Sequence, residues 1–475
     1  MQITINQAQQ DCNATIIYNG DTTSLFFDGA ASDNRLIHEN NLFVCIKGEN
    51  ADGHDFALDA VKRGAKAILA EHNPFKDEIP VPVLLVENTI TALGKIAHAA
   101  RLRFGENKEN KVIGITGTAG KTSLKELVAH ILSIDTDLSF HEENVAKNIL
   151  NYNTQIGMPI SILNATGKEK YWVLELGISH PQDMHELGTI LVPDMAIILN
   201  AANGHTEGLG DKGVAFYKSQ ILNFLPQDGV GFVSADYPEL FVHSAFFRPD
   251  TRFFSTSSKL PYRAKFKEIT LEGLGVYEII TPQHHFEVES TFIGNYGAEN
   301  CIAACALALE LGFSEEQIKK GIKTALLPQM RFNKHEKENW LIIDDTYNAN
   351  PLSTARMIES TSELAKNKDF IMVLGEMKEL GDLAISEHQE IGKLLGTINP
   401  IAIYYIGELA QAIQDGLKQS NYQGIFQPIT TKEVLIQSIN TLNYTHEKHV
   451  ILFKGSRSNH LEEYFKYFME QNHAL

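Results

Sequence analysis

Short apolar runs alternate with amphipathic stretches along most of the chain. The runs at residues 112–116, 171–176, 195–199 and 230–233 are predicted strands, and helical patterns lie between them. Strands that alternate with helices are typical of a parallel sheet covered on both faces. Residues 262–292 instead alternate with a period of two, which predicts an antiparallel meander appended to that sheet.

Two further blocks flank this central pattern. The first has predicted strands at residues 41–46 and 65–70, and it ends in a polar stretch at 105–111 that suits a linker. The last block repeats the strand–helix alternation and predicts a second doubly wound α/β unit. At 475 residues the chain is too long for one ordinary core. We therefore predict an α/β protein of three domains: a small α/β N-terminal domain (1–107), a central P-loop-type domain with a mostly parallel sheet (108–329) and a C-terminal Rossmann-like domain (330–475).

Composition limits the classes of function. The chain carries 41 basic and 59 acidic residues, and the net charge of −18 argues against a broad nucleic-acid or membrane surface. Four cysteines, none in a C-x-x-C pair, are interpreted as buried thiols. There is no basic leader and no run of eighteen apolar residues, so we expect no secretory signal and no membrane span, with the cytoplasm as the default location.

A glycine-rich turn follows the predicted strand at 112–116 and precedes a predicted helix. Glycines let such a turn present backbone N–H groups to phosphate oxygens, and the helix N-terminus adds a favourable dipole. Lys121 would reach the terminal phosphates and the Thr122 hydroxyl would bind Mg²⁺. The wider G-x-x-x-x-G-K-[ST] spacing fails because Ile115 stands five residues before Gly120. The strand–loop–helix context nevertheless favours a phosphate loop over a chance glycine turn.

Polar residues follow the next two predicted strands. Glu175 lies at the end of one strand, and Asn200 and His205 follow the other. A carboxylate at that edge suits Mg²⁺, which prefers oxygen ligands. Lys218 lies in the next helix and by spacing alone would be a solvated helix lysine. Because they lie beside a predicted phosphate loop, Glu175, Asn200 and His205 together indicate a metal-assisted phosphate site.

Together these motifs resemble the Mur ligase family. The resemblance rests on residues 114–122, 175–177 and 200–205 with Lys218 and Arg331. The strings Asp344-Asp-Thr-Tyr-Asn-Ala-Asn-Pro351, Leu374-Gly-Glu-Met-Lys-Glu-Leu-Gly381 and Lys454-Gly-Ser-Arg457 are similar to the branch that adds D-alanyl-D-alanine. Residues 32–35, 41–44 and 47–56 look like that branch's uridine-nucleotide-binding domain. The resemblance covers essentially the whole chain.

The resemblance implies an ATP-dependent ligase of peptidoglycan synthesis. ATP would convert the carboxylate of UDP-N-acetylmuramoyl-tripeptide into an acyl phosphate, which the amine of D-alanyl-D-alanine attacks. It also implies two Mg²⁺ ions, a carbamylated Lys218 and a monomer. The implied ATP-binding residues are Gly117, Thr118, Ala119, Gly120, Lys121, Thr122, Arg331, Asp345, Asn348 and Asn350. The implied metal ligands are Thr122, Glu175, His205 and Lys218, and the implied catalytic residues are Lys121, His205 and Lys218. The implied substrate-binding residues are Ser32, Asp33, Arg35, Lys47, Asn151, Asn153, Ser456 and Arg457.

Some positions depart from the family pattern, and other functions stay open. Gln220 stands where Glu is expected, Ser179 where Asn is usual and Gln182 where Gly is usual. The nearest alternatives are the ligase that adds the third amino acid and a folylpolyglutamate-type ligase. The 344–351 string and the uridine-type block argue against both. A non-catalytic nucleotide-binding scaffold would not need the full set of metal and phosphate residues, and a P-loop GTPase-type switch would need an N-K-x-D string that does not follow.

Overall fold

The chain folds as an α/β protein with several sheets, as predicted. The computed structural model describes residues 1–76, 78–149, 151–202, 209 and 212–471. Two compact units are present. The first comprises Met1–Thr116, Ser139–Ile197 and Gln220–Gly231, and the second comprises Gly117–Leu138, Ile198–Ser219 and Phe232–Leu475. Both units take part of the predicted central domain, so the boundaries at residues 107 and 329 stay a prediction.

The elements follow one another in a mostly alternating order. Residues 1–116 form β1 (Ile3–Thr4), α1 (Ile5–Cys12), β2 (Thr15–Ile17), β3 (Phe26–Phe27), β4 (Ala30–Ala31), β5 (Leu42–Val44), α2 (Ala57–Lys62), β6 (Ala67–Ala70), β7 (Val83–Leu85), α3 (Thr89–Phe104) and β8 (Lys111–Thr116). Residues 117–234 form α4 (Lys121–Leu132), β9 (Val145–Lys147), α5 (Gly157–Leu163), β10 (Tyr171–Glu175), α6 (Asp183–Leu191), β11 (Met195–Ile198), α7 (Gly213–Ser219) and β12 (Val230–Ser234).

The second half continues in the same way. Residues 235–329 form α8 (Pro238–Phe247), β13 (Arg252–Ser255), β14 (Tyr262–Ile269), β15 (Gly275–Ile280), β16 (His285–Ser290), α9 (Gly294–Glu310) and α10 (Glu315–Thr324). Residues 330–471 form β17 (Asn333–Lys337), β18 (Trp340–Asp345), α11 (Pro351–Leu364), β19 (Asp369–Gly375), α12 (Ala384–Ile398), β20 (Ala402–Ile406), α13 (Ala410–Gln419), β21 (Ile425–Pro428), α14 (Lys432–Asn440), β22 (His449–Lys454) and α15 (Leu461–Glu470).

The first unit contains a five-stranded sheet and a parallel three-stranded group. The sheet has the order β2-β7-β6-β5-β4, with β2 antiparallel at one edge. In the other group, β10 pairs in parallel with both β8 and β9. Helix α3 packs against α1, α5 and α6. The buried guanidinium of Arg101 on α3 donates to the carbonyls of Leu191 and Val192 at the end of α6, which satisfies acceptors that a helix leaves unpaired.

Strands β12 to β16 pair with one another in chain order. Strand β12 pairs in parallel with β13, and β13 pairs in parallel with β14. Strands β14, β15 and β16 then pair antiparallel, which confirms the predicted meander. Helix α4 packs against α9 and α10. Helix α9 is almost wholly buried. Its Ala, Leu and Cys side chains lie around most of its circumference, so the helix lacks the broad polar face of a surface helix.

A six-stranded sheet completes the second unit. Its order is β17-β18-β22-β19-β20-β21, and all strands are parallel except the edge strand β17. The doubly wound pattern predicted for this block is therefore confirmed. The central strand β19 is buried at all seven positions, and all of them after Asp369 are apolar or glycine.

Burial also agrees with the composition-based expectations. All four cysteines, Cys12, Cys45, Cys301 and Cys305, are buried free thiols, and burial raises the pKa of each. Every helix within the described ranges is too short or too polar to cross a membrane.

Candidate active site

The predicted phosphate loop joins β8, which ends at Thr116, to α4, which begins at Lys121. Gly120 caps the helix with a φ of +83°, in the left-handed region, and no side chain caps the helix there. A Cβ at Gly120 would lie 2.9 Å from Leu199 Cδ2 and 3.1 Å from Tyr296 Cε2. The first N–H groups of a helix have no acceptor within it, so this junction has the geometry of helix termini that bind anions.

Asn200 holds the loop in place. Its side chain is fully buried, and its Oδ1 accepts hydrogen bonds of 2.9 Å from the N–H groups of both Thr118 and Ala119. Its Nδ2 donates to Ala119 O at 2.9 Å and to Glu299 Oε2 at 3.2 Å. From the sequence, Asn200 was predicted to follow a strand but was not assigned a role. Its partners are backbone groups of the loop and the side chain of Glu299, which lie far from it along the chain.

Two lysines lie against one carbonyl of the loop. Lys121 Nζ donates to Gly117 O at 2.8 Å and to Thr118 O at 3.4 Å. Lys218 Nζ, on α7, donates to the same Gly117 O at 3.0 Å. Lys218 is 3% exposed, so it is not a solvated helix lysine. The fold thus brings the two predicted lysines together.

Glu175 ends β10 and is buried. Its Oε1 accepts from Asn153 Nδ2 at 2.7 Å, and Asn148 accepts from its backbone N–H. Asn153 is also held by its carbonyl, which accepts from Gly177 N at 2.9 Å, and by its N–H, which donates to Asn151 O at 2.7 Å. Asn151 and Asn153, expected to bind substrate, therefore lie next to the expected metal ligand Glu175.

The positions that depart from the family pattern after β10 belong to a backbone turn. The N–H groups of Ser179 and His180 donate to Asp183 Oδ2 at 2.6 and 2.7 Å. Gln155 Nε2 donates to the other oxygen, Asp183 Oδ1, at 2.7 Å. Since the turn is held through backbone N–H groups, a change of side chain at residue 179 does not remove these bonds.

The ends of β18 and β22 form a second cluster. Lys454 Nζ lies 2.5 Å from Asp345 Oδ2 and donates to Asn348 O at 3.0 Å, and both charged side chains are buried. Asp345 Oδ1 accepts from the N–H of Phe332 at 2.9 Å. Parallel neighbours end at the same edge of a sheet, which is where ligands bind in folds of this kind.

Arg331 and Asn350 lie near that cluster. The Arg331 guanidinium carbon lies 4.2 Å from the centre of the Tyr347 ring, a cation–π contact. Asn350 caps α11 by accepting from Ser353 N at 2.8 Å, and its Nδ2 reaches Thr118 O of the phosphate loop at 3.5 Å. A residue predicted to face the nucleotide from the C-terminal block therefore contacts the loop itself.

A cleft of about 400 Å³ opens beside the cluster. Its lining includes Asn348, Asn350, Lys378, Glu379, Ser456, Arg457 and His460. Ser456 Oγ accepts from Lys378 N at 2.9 Å and donates to Ala349 O at 3.3 Å. Arg457 is mostly exposed and lies 3.3 Å from Glu462. Lys378 and His460 were not singled out from the sequence, although Lys378 lies inside the 374–381 string.

The N-terminal residues lie at a different sheet edge, within the first unit. Ser32 follows β4 and Lys47 lies just beyond β5, and these strands are parallel neighbours. Asp33 accepts from Arg35 Nη2 at 2.7 Å, and the Arg35 side chain is exposed. All four expected substrate residues of this block therefore lie at or near one carboxyl edge of the sheet.

The predicted metal set is described only in part. His205 lies outside the described residues, and within the described ranges no three His, Cys, Asp or Glu side chains form a metal-binding group. The described oxygen donors of the set are the Thr122 hydroxyl and the Glu175 carboxylate. Hard oxygen donors of this kind fit Mg²⁺.

Models of one protein family match most of the chain. Models of the Mur ligase family catalytic domain, the Mur ligase middle domain and the Mur ligase glutamate ligase domain match residues 29–101, 115–308 and 330–457. The UDP-N-acetylmuramoyl-tripeptide--D-alanyl-D-alanine ligase of Haemophilus influenzae is 30% identical over 91% of both chains. This chain belongs to the Mur ligase family.

Solved structures of Mur ligases are similar over nearly the same length. A crystal structure of MurF from Acinetobacter baumannii has a TM-score of 0.85 at 28% identity and covers 99% of each chain. MurF from Thermotoga maritima in complex with ADP has a TM-score of 0.78 at 28% identity, covering 93% of this chain and 96% of that one. The three-domain fold expected from the sequence is thus the fold of this Mur ligase.

Proposed function

We propose that this chain joins D-alanyl-D-alanine to UDP-N-acetylmuramoyl-tripeptide at the expense of ATP, as a ligase of peptidoglycan synthesis. The observation that carries the proposal is similarity along the whole chain to a ligase named for that reaction. Similarity of this extent favours the dipeptide-adding reaction over addition of the third amino acid or a folylpolyglutamate-type reaction.

The phosphate loop binds the triphosphate. The N-terminus of α4 and the Lys121 ammonium supply positive charge, while Asn200 holds the loop backbone. Thr122 and Glu175 are the proposed ligands of Mg²⁺, which would neutralise charge on the phosphate oxygens. Because a carboxylate and a phosphate repel each other, positioning and fixed charge supply most of the rate enhancement.

Lys218 is the residue that becomes a carbamate. Its amine adds to CO₂ with loss of a proton, which gives an anion with two oxygen donors. Two ammonium groups on Gly117 O repel each other, whereas a carbamate at Lys218 attracts the Lys121 cation. The carbamate keeps one N–H, so the bond to Gly117 O can persist.

The cleft between the ends of β18 and β22 and the start of α15 takes the dipeptide. Its cations are Lys378, which pairs with Glu376 at 2.5 Å, and Arg457, which pairs with Glu462 at 3.3 Å. Both would exchange these partners for the carboxylate of D-alanyl-D-alanine, and the Ser456 hydroxyl adds a polar contact. Asn350 lies both in the cleft lining and against Thr118 O of the loop. One residue, Asn350, therefore borders both the proposed dipeptide cleft and the phosphate loop.

Purified protein, ATP, Mg²⁺, UDP-N-acetylmuramoyl-tripeptide and D-alanyl-D-alanine provide the direct test. We expect phosphate release that requires both peptide substrates, and a product whose mass equals their sum less one water. Acceptors carrying meso-diaminopimelate or lysine as the third residue are compared in parallel arms. Phosphate release independent of the dipeptide would reject the proposal. Turnover with an acceptor that carries only two amino acids, together with a free diamino acid, would favour the ligase that adds the third amino acid. Turnover with a folate and glutamate would favour a folylpolyglutamate-type ligase.

A further inference from the structure

A buried ion pair joins helices α9 and α11. Arg356 Nη2 lies 2.6 Å from Glu299 Oε2 and also donates to the Tyr237 hydroxyl at 2.5 Å. Burial raises the pKa of the Glu299 carboxyl, and the Arg356 guanidinium opposes that rise. Removing two charges from water is costly, and well-packed apolar side chains often hold helices together at least as well. Stability alone therefore does not explain the pair.

The pair is connected directly to the phosphate loop. Glu299 Oε2 accepts from Asn200 Nδ2, and the same carboxamide holds Thr118 and Ala119. An ionised carboxylate only accepts hydrogen bonds, so it permits one orientation of the Asn200 amide. The reversed amide would set its oxygen against the carboxylate and its NH₂ against two N–H groups. The charge on Glu299 thus reinforces the orientation in which the oxygen of Asn200 accepts from the loop N–H groups.

We infer that Arg356 and Glu299 are positioning residues for the phosphate loop. Arg356 keeps Glu299 an anion, Glu299 fixes the amide of Asn200, and Asn200 holds the backbone of Thr118 and Ala119 in its nucleotide-binding form. Helix α11 reaches the loop at a second point, since Asn350 donates to Thr118 O. The inference rests on the proposed function only in taking ATP as the ligand of the loop.

The test replaces the pair by apolar side chains of similar length in Arg356→Met/Glu299→Met. We expect this double variant to stay folded, with a melting temperature near that of the wild type, because no uncompensated charge is left buried. The Kd for ATP, measured by calorimetry without peptide substrates, should rise about tenfold, the equivalent of one lost charged hydrogen bond. KM for ATP should rise in proportion, while kcat at saturating ATP changes less. The single substitution Arg356→Lys keeps the positive charge, so its affinity for ATP should lie between those of the double variant and the wild type.

Arg252 and Glu310 provide a matched control. Glu310 ends the same helix as Glu299, eleven residues further on, and its pair with Arg252 is partly exposed. Arg252→Met/Glu310→Met should leave the Kd for ATP unchanged. Glu299→Gln removes the charge at constant volume and should weaken ATP in the same direction, by about threefold, so it carries the test if the double variant unfolds.

The possible results are distinct. Wild-type affinity for ATP in a folded Arg356→Met/Glu299→Met or Glu299→Gln variant would overturn the inference, as would an equal loss of affinity in the Arg252→Met/Glu310→Met control. A wild-type protein that binds ATP but ligates no D-alanyl-D-alanine would reject the proposed function and leave this inference standing.

Discussion

Replacing Gly120 by alanine tests whether the shape of the phosphate loop matters. At a φ of +83° an L-residue is strained, at a cost of roughly 1–2 kcal/mol. The new methyl group would also lie 2.9 Å from Leu199 Cδ2 and 3.1 Å from Tyr296 Cε2. The leucine methyl can rotate away, but Tyr296 is buried, and overpacking of this kind costs roughly 1–3 kcal/mol. The two terms together give a loss of about 2–5 kcal/mol, unless the loop shifts to relieve it.

Gly273 separates the two terms. It lies in the turn between β14 and β15 with a φ of +78°, and apart from its two chain neighbours no described residue has an atom within 4 Å of a Cβ built there. Gly273→Ala therefore carries the backbone strain without the steric contacts, and should lose roughly 1–2 kcal/mol. Urea unfolding of both variants, with and without ATP and Mg²⁺, measures the difference. Calorimetry should show ATP affinity at least about tenfold weaker in Gly120→Ala and unchanged in Gly273→Ala.

Equal unfolding free energies for the two variants, together with wild-type affinity for ATP in Gly120→Ala, would refute the reasoning. That result would mean that the loop accepts a side chain at the start of α4. An equal loss of ATP affinity in both variants would also contradict it, because the effect would then come from general destabilisation.

Three further substitutions probe the lysines and one stabilising carboxylate. Lys121→Ala should abolish turnover while far-UV circular dichroism stays at the wild-type level; near-normal turnover would remove Lys121 from the phosphate site. Lys218→Ala should be inactive but partly rescued by added short carboxylates, and full activity without them would exclude Lys218 from the metal site. Burial opposes ionisation of Asp369, but hydrogen bonds from Thr445 and His446 outweigh it and lower its pKa from 3.8 to about 2. The ionised carboxylate therefore stabilises the fold by about 2 kcal/mol above pH 4, and this stabilisation is lost as the pH falls towards 2. In urea unfolding, the free energy lost in Asp369→Asn relative to the wild type should shrink below pH 4. A loss that does not change with pH would contradict this.

The apolar pattern predicted the longer buried strands of the central block. The predictions at residues 112–116 and 171–176 differ from Lys111–Thr116 and Tyr171–Glu175 by one residue, because strands covered on both faces are apolar at every position. Strands β17 and β21 were not predicted. The first reads Asn-Lys-His-Glu-Lys and the second lies half exposed at the opposite edge, so neither carries a continuous apolar run. Edge strands are specified by their neighbours, which the local sequence does not show.

Site residues that are close together in sequence were predicted, and those that are brought together only by the fold were not. Spacing alone placed Gly120, Lys121 and Thr122 on one turn, because a phosphate loop is local in sequence. Glu299 and Arg356 were not predicted, because they contact the loop through Asn200 from helices that begin far along the chain. Within an amphipathic pattern a single Glu or Arg is ordinarily a surface residue, so only its burial and its partner reveal another role.

The contacts of the loop also indicate where the phosphates must bind. The N–H groups of Thr118 and Ala119 are both donated to Asn200, so they are already engaged before any ligand arrives. We therefore expect the phosphates to lie towards the N-terminus of α4, where helix N–H groups and the Lys121 side chain supply the charge. Lys121 donates to Gly117 O and Thr118 O, and we expect a phosphate oxygen to replace these acceptors when ATP binds. We then expect the backbone to keep the form that Asn200 holds, so that the entropic cost of ordering Thr118 and Ala119 belongs to folding and not to ATP binding.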